Sequence, residues 1–163
     1  MRFALRAPVL LELGDAPTPA AATQPAWLVV AELPDGAPPQ GQAGLLVRNM
    51  LRAMRLTDAP VYWVPLERLA PDADPASLPT DYSIDALVQQ CQPGMALLLG
   101  LPAARHLIDG HLPLSRLRQN VHTLGASALP AVVSYDPAYL LRTPQHKAHA
   151  WADLCLALAH AGR

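Results

Sequence analysis

Four short apolar segments recur along the chain, and stretches of different pattern separate them. They span residues 27–31, 61–64, 94–100 and 131–134. Continuous apolar runs of about four to eight residues, bounded by Pro or Gly, predict strands that are buried on both faces. We therefore predict four strands, with Pro65 stopping the second and Gly100 ending the third.

Between these segments the apolar residues recur at spacings of three and four, which predicts helices. The apolar face of the helix over 42–56 comprises Leu46, Met50, Leu51 and Met54. Its opposite stripe is basic and comprises Arg48, Arg52 and Arg55. Such a stripe is typical of a solvated face, and the alternative is a basic ridge that contacts a partner. Short helices are also predicted over 82–90, 102–108 and 137–142.

The last predicted helix opens at Pro144, and its expected buried stripe comprises Trp151, Leu154, Cys155 and Leu158. Strands and helices then alternate along the chain, which implies parallel strands joined by right-handed crossovers. The pattern predicts an α/β fold, a three-layer α/β/α sandwich with a four-stranded, mostly parallel central sheet.

The beginning of the chain follows a different pattern. Residues 14–26 consist largely of Ala, Pro, Thr and Gln, a composition typical of a flexible or extended linker. Residues 1–13 are mixed apolar and basic. We therefore predict a flexible N-terminal partner-binding segment and linker over 1–26, and a single α/β domain over 27–163.

Composition and charge narrow the class of protein. A chain of 163 residues forms one domain, and 52% hydrophobic with 15% charged residues excludes a disordered protein. The net charge of −1 argues against strong nucleic-acid binding by the chain alone, because phosphate contacts need an excess of Lys and Arg. The apolar runs are far shorter than the roughly 18 residues that a membrane span needs. We predict a cytoplasmic protein.

Candidate metal, cofactor and nucleophile motifs are missing from the sequence. Cys91 and Cys155 form no Cys-x-x-Cys pair, and the six histidines do not pair with the spacing of a helical zinc site. There is no P-loop, dinucleotide fingerprint or Gly-x-Ser-x-Gly elbow. We predict no metal and no cofactor, and two free thiols that serve as small core residues.

Four local motifs follow one another at predicted strand and helix boundaries. They are Val30-Ala31-Glu32-Leu33-Pro34, Gly41-Gln42-Ala43-Gly44-Leu45-Leu46, Leu99-Gly100-x-x-Ala103-Ala104, and Ser134-Tyr135-Asp136-Pro137-Ala138-Tyr139-Leu140-Leu141-Arg142. In this order they resemble the motifs of the uracil-DNA glycosylase superfamily, in its compact bacterial branch, over residues 27–160. The resemblance implies a glycosylase-like fold whose motif positions are Glu32, Pro34, Gln42, Gly44, Asp136 and Pro137.

The same resemblance implies that the chemistry of these enzymes is lost. Asp136 stands where they carry the His that stabilises the departing uracil anion, and a carboxylate there would repel that anion. These enzymes stack the flipped base on a Phe that follows the first motif, whereas the only Phe of this chain is Phe3, far from that motif. They bind uracil with an Asn at the end of the second strand, and here that strand ends near Val64 without an Asn. Two cysteines do not suffice for the iron–sulfur cluster that many of these enzymes hold. We predict no catalytic residues.

A second resemblance concerns a family that reuses this fold for binding. Phe3-Ala4-Leu5-Arg6-Ala7-Pro8 is similar to a Trp-x-Leu-Arg-Arg-Pro segment, and Leu51-Arg52-Ala53-Met54 and Pro65-Leu66-Glu67 are similar to later motifs. Together these segments resemble the psi-subunit family of the bacterial DNA polymerase III holoenzyme, which has a glycosylase-like fold without activity.

What this resemblance implies is a bridging role in DNA replication. The N-terminal residues expected to bind the tau/gamma subunits of the clamp loader are Arg2, Phe3, Leu5, Arg6 and Pro8. The globular part would bind the chi subunit, and through chi contact single-strand-binding protein. The alternative is a superfamily member in DNA repair, degenerate or with altered activity.

Overall fold

A computed structural model of the chain describes residues 2–11, 13, 24–32, 41–56, 59–70, 72, 81–108 and 111–161. The strands in these ranges are β1 (Arg2–Leu5), β2 (Val9–Leu10), β3 (Ala26–Ala31), β4 (Val61–Leu69), β5 (Pro93–Leu99), β6 (Val121–Leu124) and β7 (Leu129–Ser134). The helices are α1 (Gly41–Ala53), α2 (Ile84–Cys91), α3 (Leu101–Leu107), α4 (Leu114–Leu117), α5 (Pro137–Arg142) and α6 (Lys147–Ala161), with a 3-10 turn over Pro144–His146.

The four predicted strands form the parallel centre of the sheet, in the order β4-β3-β5-β7. Each is rich in apolar residues that neighbouring strands and helices cover on both sides, as expected of a parallel sheet. The predicted four-stranded sheet is nevertheless wrong in number. The sheet has seven strands in the described part of the chain, and β1, β2 and β6 are antiparallel to their neighbours. The fold is mixed α/β.

Residues 2–11 supply two of the additional strands, which corrects the prediction of a flexible N-terminal segment for this part of the chain. β1 pairs with residues 66–69 and β2 with residues 62–63 of the same strand, β4. Without them β4 would expose a row of unpaired backbone groups at the sheet edge. The alternation of Phe3 and Leu5 with smaller or charged residues was a signal for a strand.

Pro65 does not stop β4, as the sequence had predicted. The strand continues to Leu69, and Pro65 lies opposite Ala31 in the register with β3. Its carbonyl accepts a hydrogen bond from the Arg6 N–H at 2.9 Å. Because Pro has no N–H to return, pairing breaks here, and the gap between β1 and β2 lies opposite this position.

The sheet separates two apolar cores. On one face Trp27, Val29 and Ala31 of β3 pack with the buried residues of α1 and α6. On the other, Leu28 and Val30 pack with buried residues of α2, α3 and α4. Helices therefore cover both faces of the sheet, in the layered arrangement that the alternating pattern predicted.

Candidate functional site

The candidate site lies where the parallel strands end. Glu32 follows β3 directly, Gly100 follows β5, and Asp136 comes two residues after β7. Parallel strands carry their carboxyl ends to one edge of the sheet, and ligands of open α/β folds bind in the crevice beyond that edge. Gly100 has a φ of 107°, and a Cβ built on it would lie 3.2 Å from the Cβ of Asp136. Glycine therefore permits the close approach of these two loops.

Asp136 caps helix α5. Its Oδ1 accepts a hydrogen bond from the N–H of Ala138 at 2.9 Å, and its carbonyl accepts one from Leu140 at 3.1 Å. Burial is the main cause that raises the pKa of this carboxyl, and the charge of Glu32 raises it further. The bond from Ala138 and the charge of Arg142 oppose the shift. The carboxylate thus serves as a helix cap in a partly desolvated place.

Glu32 forms an ion pair with Arg68. Its Oε1 lies 3.1 Å from Nε of Arg68, and its Oε2 accepts from Nη2 at 3.3 Å. The guanidinium of Arg68 also lies over the ring of Phe3, with 5.5 Å between its Cζ and the ring centroid. Glu32, the one polar residue shared with the first glycosylase motif, is therefore held by a cation from β4 that the sequence analysis had not singled out.

A cavity of about 660 Å³ opens beside this ion pair. It is lined by Phe3, Arg68, Asp81, Leu101, Pro102, Arg105 and His106. Asp81 anchors one side, because its Oδ1 accepts a hydrogen bond from the N–H of Leu5 at 2.8 Å and lies 3.8 Å from Nε2 of His106. Phe3 and Arg105 thus meet in one crevice, although one lies on β1 and the other on α3.

The other motif positions are spread around this edge. Gln42 is exposed in the first turn of α1, whereas Gly44 is buried in the same helix and Pro137 is buried at the start of α5. Pro34 lies outside the described residues. Val64, at the position expected for the uracil-reading Asn, is fully buried between its neighbours and offers no polar group.

The N-terminal residues of the second resemblance differ in accessibility. Leu5 is only 1% exposed and belongs to the core on the α2–α4 side. Phe3 and Pro8 are half-buried, and Arg6 is exposed in an ion pair with Glu67. The backbone of Arg2 pairs with Leu69. Leu5 is therefore a core residue in this structure, which corrects its assignment as an anchor available to a partner.

A buried polar network escaped the sequence analysis. Asp153 accepts hydrogen bonds from Nε and Nη2 of Arg118 at 2.7 and 3.1 Å, and from the Ser134 hydroxyl at 2.8 Å. Nη1 of Arg118 donates to the hydroxyl of Tyr135 at 3.0 Å. Asp153 occupies the buried stripe of α6 with Ala150, Leu154 and Ala157, and an acid at such a position is the signal that could have revealed a buried cation.

The buried stripe of α6 differs from the predicted one. Leu154 is buried as expected, whereas Trp151 and Cys155 are exposed and Leu158 is half-buried. Helix α6 is rich in apolar residues on several sides, so periodicity alone could not identify the face that meets the sheet.

Within the described residues, no three side chains of the His, Cys, Asp and Glu type come together as a metal site. A helix long and apolar enough to cross a membrane is also not found among them.

A comparison with known protein families identifies the family of the chain. The family model of the Uracil DNA glycosylase superfamily matches residues 7–155. The chain therefore belongs to the uracil-DNA glycosylase superfamily, as the four motifs had indicated. No curated protein matches the chain at a significant level.

The raised pKa of Asp136 leads to a prediction about stability and pH. A carboxyl whose pKa is raised by folding stabilises the folded state when protonated, and this contribution is lost as pH rises through the folded pKa. Asp136→Asn keeps a capping side chain without the charge, so it should raise the melting temperature at pH 7 and have little effect near pH 3. Asp136→Ala, which also removes the cap, should cost about 1 kcal/mol relative to Asp136→Asn. Thermal unfolding between pH 3 and 8 measures both, and a destabilising Asp136→Asn at pH 7 would contradict the argument.

Proposed function

We propose that this chain is a non-catalytic member of its superfamily that works as a binding subunit. The observation that carries the proposal is Asp136, a partly desolvated carboxylate that caps α5 within the electrostatic influence of Glu32. A glycosylase must stabilise the anion of the departing base, and preorganised donors usually contribute most to that task. A carboxylate at position 136 opposes that stabilisation.

The test of lost catalysis is uracil release from single- and double-stranded uracil-containing oligonucleotides. We expect no multiple-turnover excision under conditions in which an active glycosylase completes the reaction. Asp136→His alone should not restore activity, because Val64 still supplies no polar group to bind the base. Excision that is abolished by Glu32→Gln would contradict the proposal and favour an enzyme in DNA repair.

We propose further that the binding role is that of a psi-type subunit of DNA polymerase III. In this role the chain bridges the chi subunit, which contacts single-strand-binding protein, to the tau/gamma subunits of the clamp loader. The net charge of −1 supports protein partners rather than direct binding to DNA. The resemblance of residues 3–8 to the psi segment supports a clamp-loader contact along the edge formed by β1.

Only some side chains of the β1 edge are accessible to a partner, which limits the residues that form the proposed contact. Leu5 is buried and cannot serve as an anchor without unfolding, whereas the half-buried Phe3 lines the cavity and Arg6 is exposed. The Arg68 guanidinium lies over the Phe3 ring and adds a second cation to the proposed contact. An aromatic ring with a guanidinium group over it has the composition of an interface hot spot. We assign the tau/gamma contact to Phe3, Arg6 and Arg68.

The bridging role is tested by pull-down and affinity measurement with purified chi and tau/gamma. Phe3→Ala should weaken tau/gamma binding at least about thirtyfold. The loss of an interface aromatic side chain costs on the order of 2 kcal/mol, and each 1.4 kcal/mol or so changes the dissociation constant tenfold. Chi binding should be unchanged. Leu112→Ala is the matched control, because Leu112 is an apolar side chain that is 50% exposed outside this edge. Failure to bind either partner would contradict the psi assignment.

The second candidate function is DNA repair by a degenerate or altered glycosylase. The family match across residues 7–155 and the retained Glu32 favour it. Binding to DNA distinguishes the two. A psi-type subunit should show negligible affinity for an oligonucleotide at physiological salt, whereas tight binding that falls steeply with salt would favour the repair protein.

A further inference from the structure

An apolar groove lies between α1 and α6, on the face of the molecule formed by these two helices and α5. Leu46 and Met50 form one wall, Trp151 forms the other, and Leu140 and Leu154 form the floor. The groove encloses about 240 Å³. A cavity of roughly 150 Å³ holds a benzene molecule, so this one has room for a large apolar side chain.

The rim of the groove exposes apolar surface that a soluble domain ordinarily covers. Trp151 is 41% exposed, and Leu45, one turn before Asn49 on α1, is 55% exposed. The two other tryptophans, Trp27 and Trp63, are buried in the core. An exposed Trp beside a preformed apolar pocket has the features of an interface anchor.

The exposed charged residues of the helices that form the groove are basic. The basic residues of segments 41–56 and 137–161 are Arg48, Arg52, Arg55, Arg142 and Lys147. Asp153 is the only acidic residue of these segments, and it is buried in its pair with Arg118. Arg52, which hydrogen-bonds the lining residue Asn49, and Lys147 thus place a cation on the α1 side and on the α6 side of the groove.

The groove and the charges meet at its mouth. Lys147 and Asn49 line the groove, and Nη1 of Arg52 donates to Oδ1 of Asn49 at 3.3 Å. An occupant therefore meets apolar side chains at the centre and cations at the rim. This division matches an amphipathic helix, whose apolar anchors at i, i+3, i+4 and i+7 enter a groove while charged residues flank them.

We propose that the groove between α1 and α6 binds an amphipathic helical segment of another protein, one that carries acidic residues on both flanks of its apolar stripe. A second copy of this chain fits less well, because a two-fold contact would bring the same cations together. Nucleic acid also fits less well, because the centre of the groove offers apolar side chains rather than partners for phosphate. The proposal rests on this surface alone and does not depend on the role of the β1 edge.

The test uses two synthetic peptides of about 15 residues with Leu at the four anchor positions. One carries Glu on both flanks, and its twin carries Lys at the same positions. Anisotropy of a labelled peptide reports affinity. Acrylamide quenching of intrinsic fluorescence reports occupancy of the groove, since Trp151 is the exposed tryptophan.

The Glu peptide should bind at least about tenfold more tightly than the Lys twin and should protect Trp151 from quenching. Trp151→Ala should weaken binding at least about tenfold. Arg52→Glu combined with Lys147→Glu should reverse the preference between the peptides, and both exchanges are at exposed positions that leave folding intact. The control is Arg116→Glu on α4, a charge reversal at an exposed position away from the groove, which should leave both affinities unchanged.

Three results would overturn the proposal. The first is equal affinity for the two peptides, or equal affinity for a scrambled Glu peptide. The second is a concentration-dependent dimer in which a second copy of the chain protects Trp151 from acrylamide quenching and which Trp151→Ala abolishes. The third is stronger protection by an oligonucleotide than by the Glu peptide at the same ionic strength.

Discussion

Asp153→Ala is expected to lower the free energy of unfolding by about 3–5 kcal/mol, the range seen when one partner of a buried ion pair is removed. Asp153 is 2% exposed and accepts from both Arg118 and Ser134. Its loss leaves the Arg118 guanidinium buried, with only the Tyr135 hydroxyl and the His149 carbonyl as hydrogen-bond acceptors. Two acceptors without a counter-charge cannot compensate the desolvation of a cation. Urea denaturation of the single variant measures the effect.

The double variant Arg118→Met with Asp153→Leu is the control. It removes both charges and fills the space with apolar groups, which is often neutral when a buried pair is replaced as a unit. We expect it to be more stable than Asp153→Ala, with a large coupling energy in the double-mutant cycle. Ser134→Ala alone should cost only about 1–3 kcal/mol, because Arg118 still satisfies Asp153. A loss below about 1 kcal/mol for Asp153→Ala would show that the pair is not buried as described.

Leu5→Ala is expected to cost about 2–5 kcal/mol, as deletion of a buried Leu side chain does in a packed core. For a domain of this size, that corresponds to a fall in melting temperature of roughly 4–20 °C. The reason is that Leu5 belongs to the core of the α2–α4 face, where it packs with residues such as Leu28 and Leu66. Its backbone also holds Asp81 and Tyr82 through hydrogen bonds of 2.8 and 3.0 Å. Differential scanning calorimetry measures the change.

Arg6→Ala is the comparison from the same segment. Arg6 and Glu67 form an exposed ion pair, which is worth about 0–1 kcal/mol, so the melting temperature should hardly move. Phe3→Ala should lie between the two because Phe3 is half-buried. Unchanged melting of Leu5→Ala would mean that residues 2–11 do not contribute to the folded domain. It would restore the view of this segment as a free ligand for the clamp loader.

The glycosylase-type motifs could be identified from sequence because each stands at a boundary between a strand and a loop or helix. Glu32 and Asp136 were placed at strand ends, and the structure brings both to the carboxyl edge, close enough for their charges to interact. Arg68 could not be assigned in the same way. Its role depends on β4 continuing beyond Pro65, and local patterns favour a strand end at proline.

The face of a helix is harder to predict when the helix is apolar on several sides. On α1 the buried residues include Val47 and Leu51, whereas the predicted residues Leu46 and Met50 line the groove instead. On α6 the prediction placed Trp151 in the core, and the structure places it at the surface. The small residues Ala150 and Ala157 are buried instead, and Ala157 belongs to the core beside the sheet.

The sequence by itself determined the four central strands, their alternation with helices and the superfamily, because continuous apolar runs and ordered motifs are local signals. The tertiary structure alone decided which edge of the sheet the N-terminal strands cover, which side of α6 is buried, and that Arg118 and Asp153 pair across 35 positions of the chain. These outcomes depend on which surfaces meet. A residue's own neighbours in sequence carry little information about the distant side chain, strand edge or helix that will cover it.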